Sequence, residues 1–211
     1  MVIILIILVL LLIFLINQDS EFSKTDPIFK ISDLKRNHSI KQSHIDGSVK
    51  LNIKVCEENL LLFNKIMKQF DIFYWLSEGT ALGVIRENRL LPWDDDVDIS
   101  FKIEYRDKFV KEALPVLKEN GFVIADVFHD GNFITLLRND EKIDIDIVQK
   151  DGKCMALATS NTNYNRDCNN LLSYLNNIHP VQFLETEFNV PGDDYLEFLY
   201  SKDWKTPKKD K

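Results

Sequence analysis

The apolar positions of this chain follow several different patterns. Residues 2–16 are apolar without a break, whereas residues 17–49 are polar, mixed in charge and without a clear period. From Leu51 onward the pattern is that of a folded domain. Val55, Leu62, Phe63, Ile66, Met67 and Phe70 recur at helical spacing and predict an amphipathic helix over 53–70. Residues 72–77, rich in aromatics, predict a short buried strand, and 96–101 a second one. Residues 104–119 predict a helix with Phe109, Val110, Ala113, Leu114 and Leu117 inward, kinked or broken at Pro115. Strands are expected at 121–127, 132–138 and 142–149, with turns at Asp130-Gly131 and Asn139-Asp140. The third of these alternates cleanly. Asp144 and Asp146 share one face, and Ile143, Ile145 and Ile147 share the other. Residues 159–180 are rich in Asn and read as a long loop with one helical turn, and 193–201 as a final short helix.

The N-terminal block cannot belong to a soluble core. As a helix, residues 2–16 would reach about 22 Å, short of the roughly 30 Å hydrocarbon core but sufficient for an anchor with some bilayer thinning. A cleaved signal peptide is the competing reading. No Lys or Arg precedes the block, however, and Asn17-Gln18-Asp19-Ser20 offers no small-x-small cleavage site. The expected organisation is a transmembrane signal anchor over 1–17, a stem over 18–50 and a catalytic domain over 51–211. Basic residues just after the block favour a cytoplasmic domain. The sequon Asn37-His38-Ser39 points instead to a lumen.

A net charge of −7 argues against a nucleic-acid surface, which needs a basic stripe. Cys56, Cys154 and Cys168 match no zinc spacing, and an odd count is no disulfide framework.

The chemistry concentrates in Pro92-Trp93-Asp94-Asp95-Asp96-Val97-Asp98-Ile99. Four carboxylates in five positions repel one another, by roughly 1–4 kcal/mol per pair at 4 Å. A cation among them relieves that repulsion, and oxygen-only ligands suit Mg²⁺ or Mn²⁺. If the run is extended, Asp94, Asp96 and Asp98 point one way, and Asp95 and Val97 the other. Upstream, Gly79 and Gly83 follow a strand and predict a tight strand-to-helix turn, where backbone N–H groups can face a phosphate. Downstream, the Asp144/Asp146 strand supplies further carboxylates. Acids on rigid strands that converge on metal ions are what two-metal phosphoryl chemistry requires.

This order matches the nucleotidyltransferase fold, and it resembles one branch of it most closely, the LicD and fukutin-related family. The resemblance is carried by Ser77-Glu78-Gly79-Thr80-Ala81-Leu82-Gly83, Arg86, and Leu91 through Ile99, with Ile145-Asp146-Ile147 similar to the family's second acidic strand. Val190-Pro191-Gly192 and Leu199 through Pro207 resemble its closing segment. There the family usually has Gly after Tyr, where this chain has Ser201-Lys202. The resemblance spans roughly 55–207.

It implies an α+β fold, a nucleotidyltransferase-like mixed sheet flanked by helices. It also implies a transferase that moves a phospho-alcohol from a CDP-linked donor (CDP-choline or CDP-ribitol) to a glycan hydroxyl, releasing CMP. Asp96, Asp98 and Asp146 would be catalytic. With Asp94 they would hold Mg²⁺ or Mn²⁺. Gly79, Thr80, Gly83, Arg86 and Trp93 would contact substrate. Composition and spacing do not separate Asp146 from Asp144, nor a phosphate partner for Arg86 from Glu87 or an Asp of the cluster. An anchored member of this family is expected in the Golgi or endoplasmic reticulum, with the domain lumenal. Two other readings are compatible with the same fold: a nucleotidyltransferase using NTP, and a non-catalytic adaptor of glycosylation enzymes.

Overall fold

A computed structural model describes residues 50–128, 131–148 and 175–207. Contacts divide the chain into two units, Met1–Asp33 and Leu34–Lys211, and all described residues lie in the second. The anticipated anchor and most of the stem lie outside the described residues. Among the described residues no helix is long and apolar enough to cross a membrane.

Helix α1 (Ile53–Gln69) starts at Asn52, whose side chain accepts from the Val55 N–H. Its buried face is Cys56, Asn59, Leu60, Phe63, Asn64, Ile66 and Met67. Phe63, Ile66 and Met67 are inward as the periodicity predicts. Val55, Leu62 and Phe70 are only half-buried, because the face centres on Cys56, Leu60 and Phe63. Strand β1 (Tyr74–Leu76) leads directly into helix α2 (Glu78–Glu87), and strand β2 (Val97–Lys102) follows.

The chain then winds through a 3₁₀ turn (Ile103–Tyr105), a single α-turn (Arg106–Lys108), a π-helical segment (Phe109–Ala113) and helix α3 (Leu114–Glu119). The expected break at Pro115 takes this form. The Leu114 N–H bonds back to the Phe109 carbonyl, five residues away, and Pro115 has no N–H with which to continue an α-helical ladder.

Strands β3 (Val123–Phe128), β4 (Phe133–Arg138) and β5 (Glu141–Val148) complete a five-stranded sheet in the order β1-β2-β5-β4-β3. The β2–β5 pair is parallel and the rest are antiparallel, so the expected α+β class with a mixed sheet holds. Asn139 and Asp140, at φ 53° and 65°, make the tight β4–β5 turn.

The parallel pairing organises the core. Val97 lies beside Ile143, Ile99 beside Ile145 and Phe101 beside Ile147, all buried on one face. Phe109 packs against Phe101 with ring centroids 5.2 Å apart. Each aliphatic on that face sends its neighbour in sequence to the other, which puts Asp98, Asp144 and Asp146 together on the opposite side.

The expected loop over 159–180 is only partly described, and its end is ordered. A 3₁₀ turn (Leu175–Asn177) precedes β6 (His179–Phe183), which pairs with β7 (Thr186–Val190) in a hairpin that sequence reasoning missed. Its turn residues, Leu184 at φ 51° and Glu185 at φ 60°, are not the Asn or Gly that usually mark such turns. Asn189 Nδ2 ties β7 to the Tyr74 carbonyl of β1 at 2.9 Å. Helix α4 (Asp193–Tyr200) follows and packs on α2.

Candidate active site

The site is built where β1, α2 and β2 meet. Ser77 closes β1, and its N–H donates to the Asp98 carbonyl at 3.1 Å. Thr80, buried in the first turn of α2, accepts the Asp98 N–H on Oγ1 at 2.8 Å. Both backbone groups of Asp98 are therefore held by residues of the strand-to-helix turn. The Ser77 and Ser100 hydroxyls bond at 2.9 Å beneath it.

The glycines act by permitting close approach. A Cβ on Gly79 would overlap Asp94 Oδ2. A Cβ on Gly83 would lie 2.5 Å from the Arg89 carbonyl oxygen and 2.9 Å from Leu91 Cγ. The bare face of α2 thus lets the segment after it fold back and deliver the acidic run to the helix start. Asn88, at φ 51°, makes the reversal and caps α2 on the carbonyls of Gly83 and Val84.

The acidic run is not one extended strand. Pro92 and Trp93 form a turn, Asp95 and Asp96 a bend, and of the four acids only Asp98 lies within β2. This corrects the expected alternation. Carboxylate oxygens of Asp94, Asp95 and Asp96 lie within 4.8 Å of one another, so Asp95 joins its neighbours. Across the parallel ladder Asp98 stands beside Asp144, and Asp146 stands two pairs further along, beside Ser100. The carboxylates of the two strands do converge, and Asp144 is the nearer partner of Asp98.

A cation already sits among them, and sequence reasoning missed it. Lys142 Nζ lies 3.1 Å from Asp96 Oδ2, 3.3 Å from Asp95 Oδ2 and 3.5 Å from Asp144 Oδ2, with its side chain 9% exposed. The signal was available, since Lys142 shares strand parity with Asp144 and Asp146. Burial works against the ammonium, but Asp144, Asp96 and Asp95 overcome it and hold its pKa above the ordinary lysine value.

Charge remains in excess around the acids. Burial, then Asp96, pushes Asp94 up to about 7. Burial, then Asp96, Glu78, Asp94 and Asp144, drives Asp98 well above the carboxylate range. Burial raises Asp144 to about 6, against the pull of Lys142. Asp144 Oδ1 is buried and accepts no hydrogen bond from the described residues. Clustered hard oxygens with raised pKa values, one of them unsatisfied, fit a divalent cation such as Mg²⁺ or Mn²⁺.

Glu78 is another missed acid. It opens α2 at φ 42°, in the left-handed region, and accepts from the Tyr195 hydroxyl at 3.4 Å. Arg86 pairs with Glu87 at 2.6 Å and donates to the Trp204 carbonyl at 3.3 Å. Of the two protein partners the sequence left open, Glu87 and an Asp of the cluster, the structure gives it Glu87. Trp93 is 47% exposed, with the Arg89 guanidinium carbon 5.9 Å from its ring centre. Cys56 is buried, and its thiol donates to Glu141 Oε2 at 3.3 Å.

Comparison with known proteins identifies the family. The family model described as LicD/FKTN/FKRP, nucleotidyltransferase domain, matches residues 71–193. Ribitol-5-phosphate transferase FKTN of Mus musculus is 25% identical over 162 residues, which is 74% of this chain and 34% of the relative. Lipopolysaccharide cholinephosphotransferase LicD of Haemophilus influenzae is 36% identical over 56 residues, 26% of this chain and 21% of the relative. The chain thus spans about a third of the length of the first of these relatives and about a fifth of the second. Among solved structures, the lincomycin-bound lincosamide antibiotic adenylyltransferase LnuA aligns over 69% of this chain and 86% of its own, at 17% identity and a TM-score of 0.47. The family match covers more than half of the chain and takes in α2, the acidic bend, β2, β5 and the β6–β7 hairpin, so the protein belongs to the LicD/FKTN/FKRP family of nucleotidyltransferase domains.

Proposed function

We propose that the protein is a metal-dependent phosphotransferase that moves a phospho-alcohol, of the phosphocholine or ribitol-phosphate type, from a CDP-linked donor to a glycan hydroxyl. The observation that carries this reading is the parallel register of Asp98 beside Asp144, with Asp94–Asp96 folded against the same edge. Two relatives named as transferases, of ribitol 5-phosphate and of phosphocholine, support the class of group transferred.

In this reading Asp94, Asp96 and Asp98, with Asp144 and Asp146 on the neighbouring strand, hold Mg²⁺ or Mn²⁺. Bound there, the metal neutralises the donor's pyrophosphate and the charge of the departing group. The chain's own residues do the rest. Thr80 and Ser77 fix the Asp98 backbone, so its carboxylate needs no reorganisation during reaction. Gly79 and Gly83 keep the helix start open to the acidic bend. The acceptor oxygen attacks the phosphorus that carries the alcohol, and the bond from that phosphorus to the CMP oxygen breaks. The acceptor proton passes to Asp146, which shares the acidic face. The apolar block at 2–16 would tether the domain to a Golgi or endoplasmic-reticulum membrane, with the glycan acceptor in the lumen.

The test is to incubate the full chain with CDP-choline, CDP-ribitol or NTPs, with a glycan acceptor and with or without EDTA. CMP release that stops with EDTA supports the proposal. Pyrophosphate release from NTP, or no turnover by folded protein with any donor, overturns it.

A further inference from the structure

The acidic face of the sheet continues past Asp146, and the proposed chemistry leaves that side unused. Residues directly opposite one another in an antiparallel pair share a face. Phe133 stands opposite Asp146, and Phe128 stands opposite Phe133. The two rings therefore carry the acidic face outward across β4 to β3, the outermost strand of the described sheet. Their centroids are 6.0 Å apart, and Phe128 is 46% exposed. Two residues along, Asp126 stands opposite Thr135, and Thr135 opposite Asp144. We infer that Phe128 and Phe133, with Asp126, form a platform for a sugar ring of the acceptor. The inference rests on the transfer to a glycan hydroxyl proposed above.

A bulge builds the platform. Ile124 pairs with Leu136 on the core face, and the register then shifts by one residue before Asp126. Had the first register continued, Asp126 would pair with Ile134 and Phe128 with Asn132, which puts both on the core face. The extra residue at Ala125 turns both to the acidic side and leaves Val127 opposite Ile134. Bulges beside active sites re-aim side chains in this way. The start of β4, which carries Phe133, is also held in place. The Asn132 carbonyl accepts the Ile147 N–H at 2.7 Å, and its side chain accepts from Arg106 Nη1 at 3.0 Å.

Position selects the acceptor as the occupant. In the proposed reaction the acceptor oxygen gives its proton to Asp146, and attacking and leaving oxygens lie roughly in line. Phe133 is one strand from Asp146, about 4.8 Å, and Phe128 is one strand further. Helix α2 lies on the other side, against β2, where Gly79 meets Asp94. A ring resting on the two phenylalanines thus brings its hydroxyl to Asp146 from the side away from α2.

The chemistry fits a pyranose. Its weakly positive C–H face packs on the negative face of an aromatic ring. Its hydroxyls donate to carboxylates, and Asp126, oriented by the Val127 N–H at 2.9 Å, stands on the same face as the rings.

The experiment is saturation-transfer difference NMR on the full chain. The probes are methyl glycosides of glucose, galactose, N-acetylglucosamine and N-acetylgalactosamine, with phosphocholine as the competing occupant. At least one glycoside should show saturation concentrated on one ring face. Phe128→Ala should weaken its binding about threefold to tenfold, the range for loss of one aromatic contact, and Phe128→Tyr should retain it. With that glycoside as acceptor, Phe128→Ala should raise the acceptor KM and leave the donor KM unchanged. The platform is overturned, with the transferase reading intact, if Mg²⁺-dependent CMP release from a CDP donor occurs while no glycoside binds. It is equally overturned if glycosides bind wild type and Phe128→Ala alike, or if phosphocholine is the ligand that Phe128→Ala loses. If folded protein releases CMP from no CDP donor, the transferase reading fails and the acceptor platform fails with it.

Discussion

The carboxylate of Asp94 occupies the space that a side chain at Gly79 would need: a Cβ there would meet Oδ2 directly and stand 3.2 Å from Cγ. In an ordinary helix Gly→Ala is favourable by about 1 kcal/mol. Gly79→Ala should instead destabilise by about 1–3 kcal/mol, the usual range for overpacking, and should lower CMP release by moving Asp94. Urea denaturation together with a turnover assay reads both. A more stable, fully active Gly79→Ala would show that Asp94 has no need of that contact.

Lys142 should matter most when no metal is present. Its ammonium is the counter-ion of Asp95, Asp96 and Asp144. Removing one partner of a buried ion cluster costs about 3–5 kcal/mol, and Asp95, a third exposed, argues for the lower end. Lys142→Met in EDTA should therefore lose about 3 kcal/mol, and millimolar Mg²⁺ should restore more stability to it than to wild type. Equal stabilisation of both proteins by Mg²⁺ would count against a shared site.

Acid should stabilise the metal-free protein. Asp94 at about 7, Asp144 at about 6 and Asp98 well above the usual range all exceed the ordinary aspartate value of about 3.9 in an unfolded chain. The folded state thus binds protons more tightly than the unfolded state. This contribution is complete below about pH 4 and is lost as pH rises through 6 to 7. Denaturation in EDTA between pH 5 and pH 7.5 should show falling stability, and saturating Mg²⁺ should flatten the slope. A rising slope in EDTA would contradict the buried placement of these acids.

Asp98→Asn separates function from stability. The amide carries no charge to desolvate, so the metal-free midpoint should stay level or rise. Turnover should fall by about a hundredfold or more, as for loss of a preorganised electrostatic group. Asp144→Asn and Asp146→Asn compared in the same assay would apportion the second strand's contribution. Undiminished activity in Asp98→Asn would remove it from the site.

Ser201 adopts φ 76° and ψ 169°, a region that side chains rarely enter. It stands where the family resemblance expects glycine. Ser201→Gly should stabilise the protein by about 1 kcal/mol, net of the unfolded-state entropy that glycine adds. The Ser201 hydroxyl bond to Asp203 works against this gain. Thermal denaturation decides the sign.

Much of this was legible in the amino-acid order. The helical period of α1, the alternation of β5 and the break at Pro115 are local consequences of side-chain spacing, and each survived folding. So did the parity that puts Asp144 and Asp146 opposite Ile143 and Ile145. The β6–β7 hairpin was not legible, because Leu184 and Glu185 take left-handed conformations without the residues that announce them.

The sequence by itself determined which residues could share a face and which positions had to be small, since period and steric bulk belong to each residue alone. Only the tertiary structure decided that Asp144 is the nearer neighbour of Asp98, that Asp95 turns inward, that Arg86 pairs with Glu87, and that Lys142 enters the cluster. Those outcomes depend on strand register and on the fold-back permitted by Gly79 and Gly83. Both are set by packing between segments far apart in the chain, and a reading of neighbours along it does not contain that information.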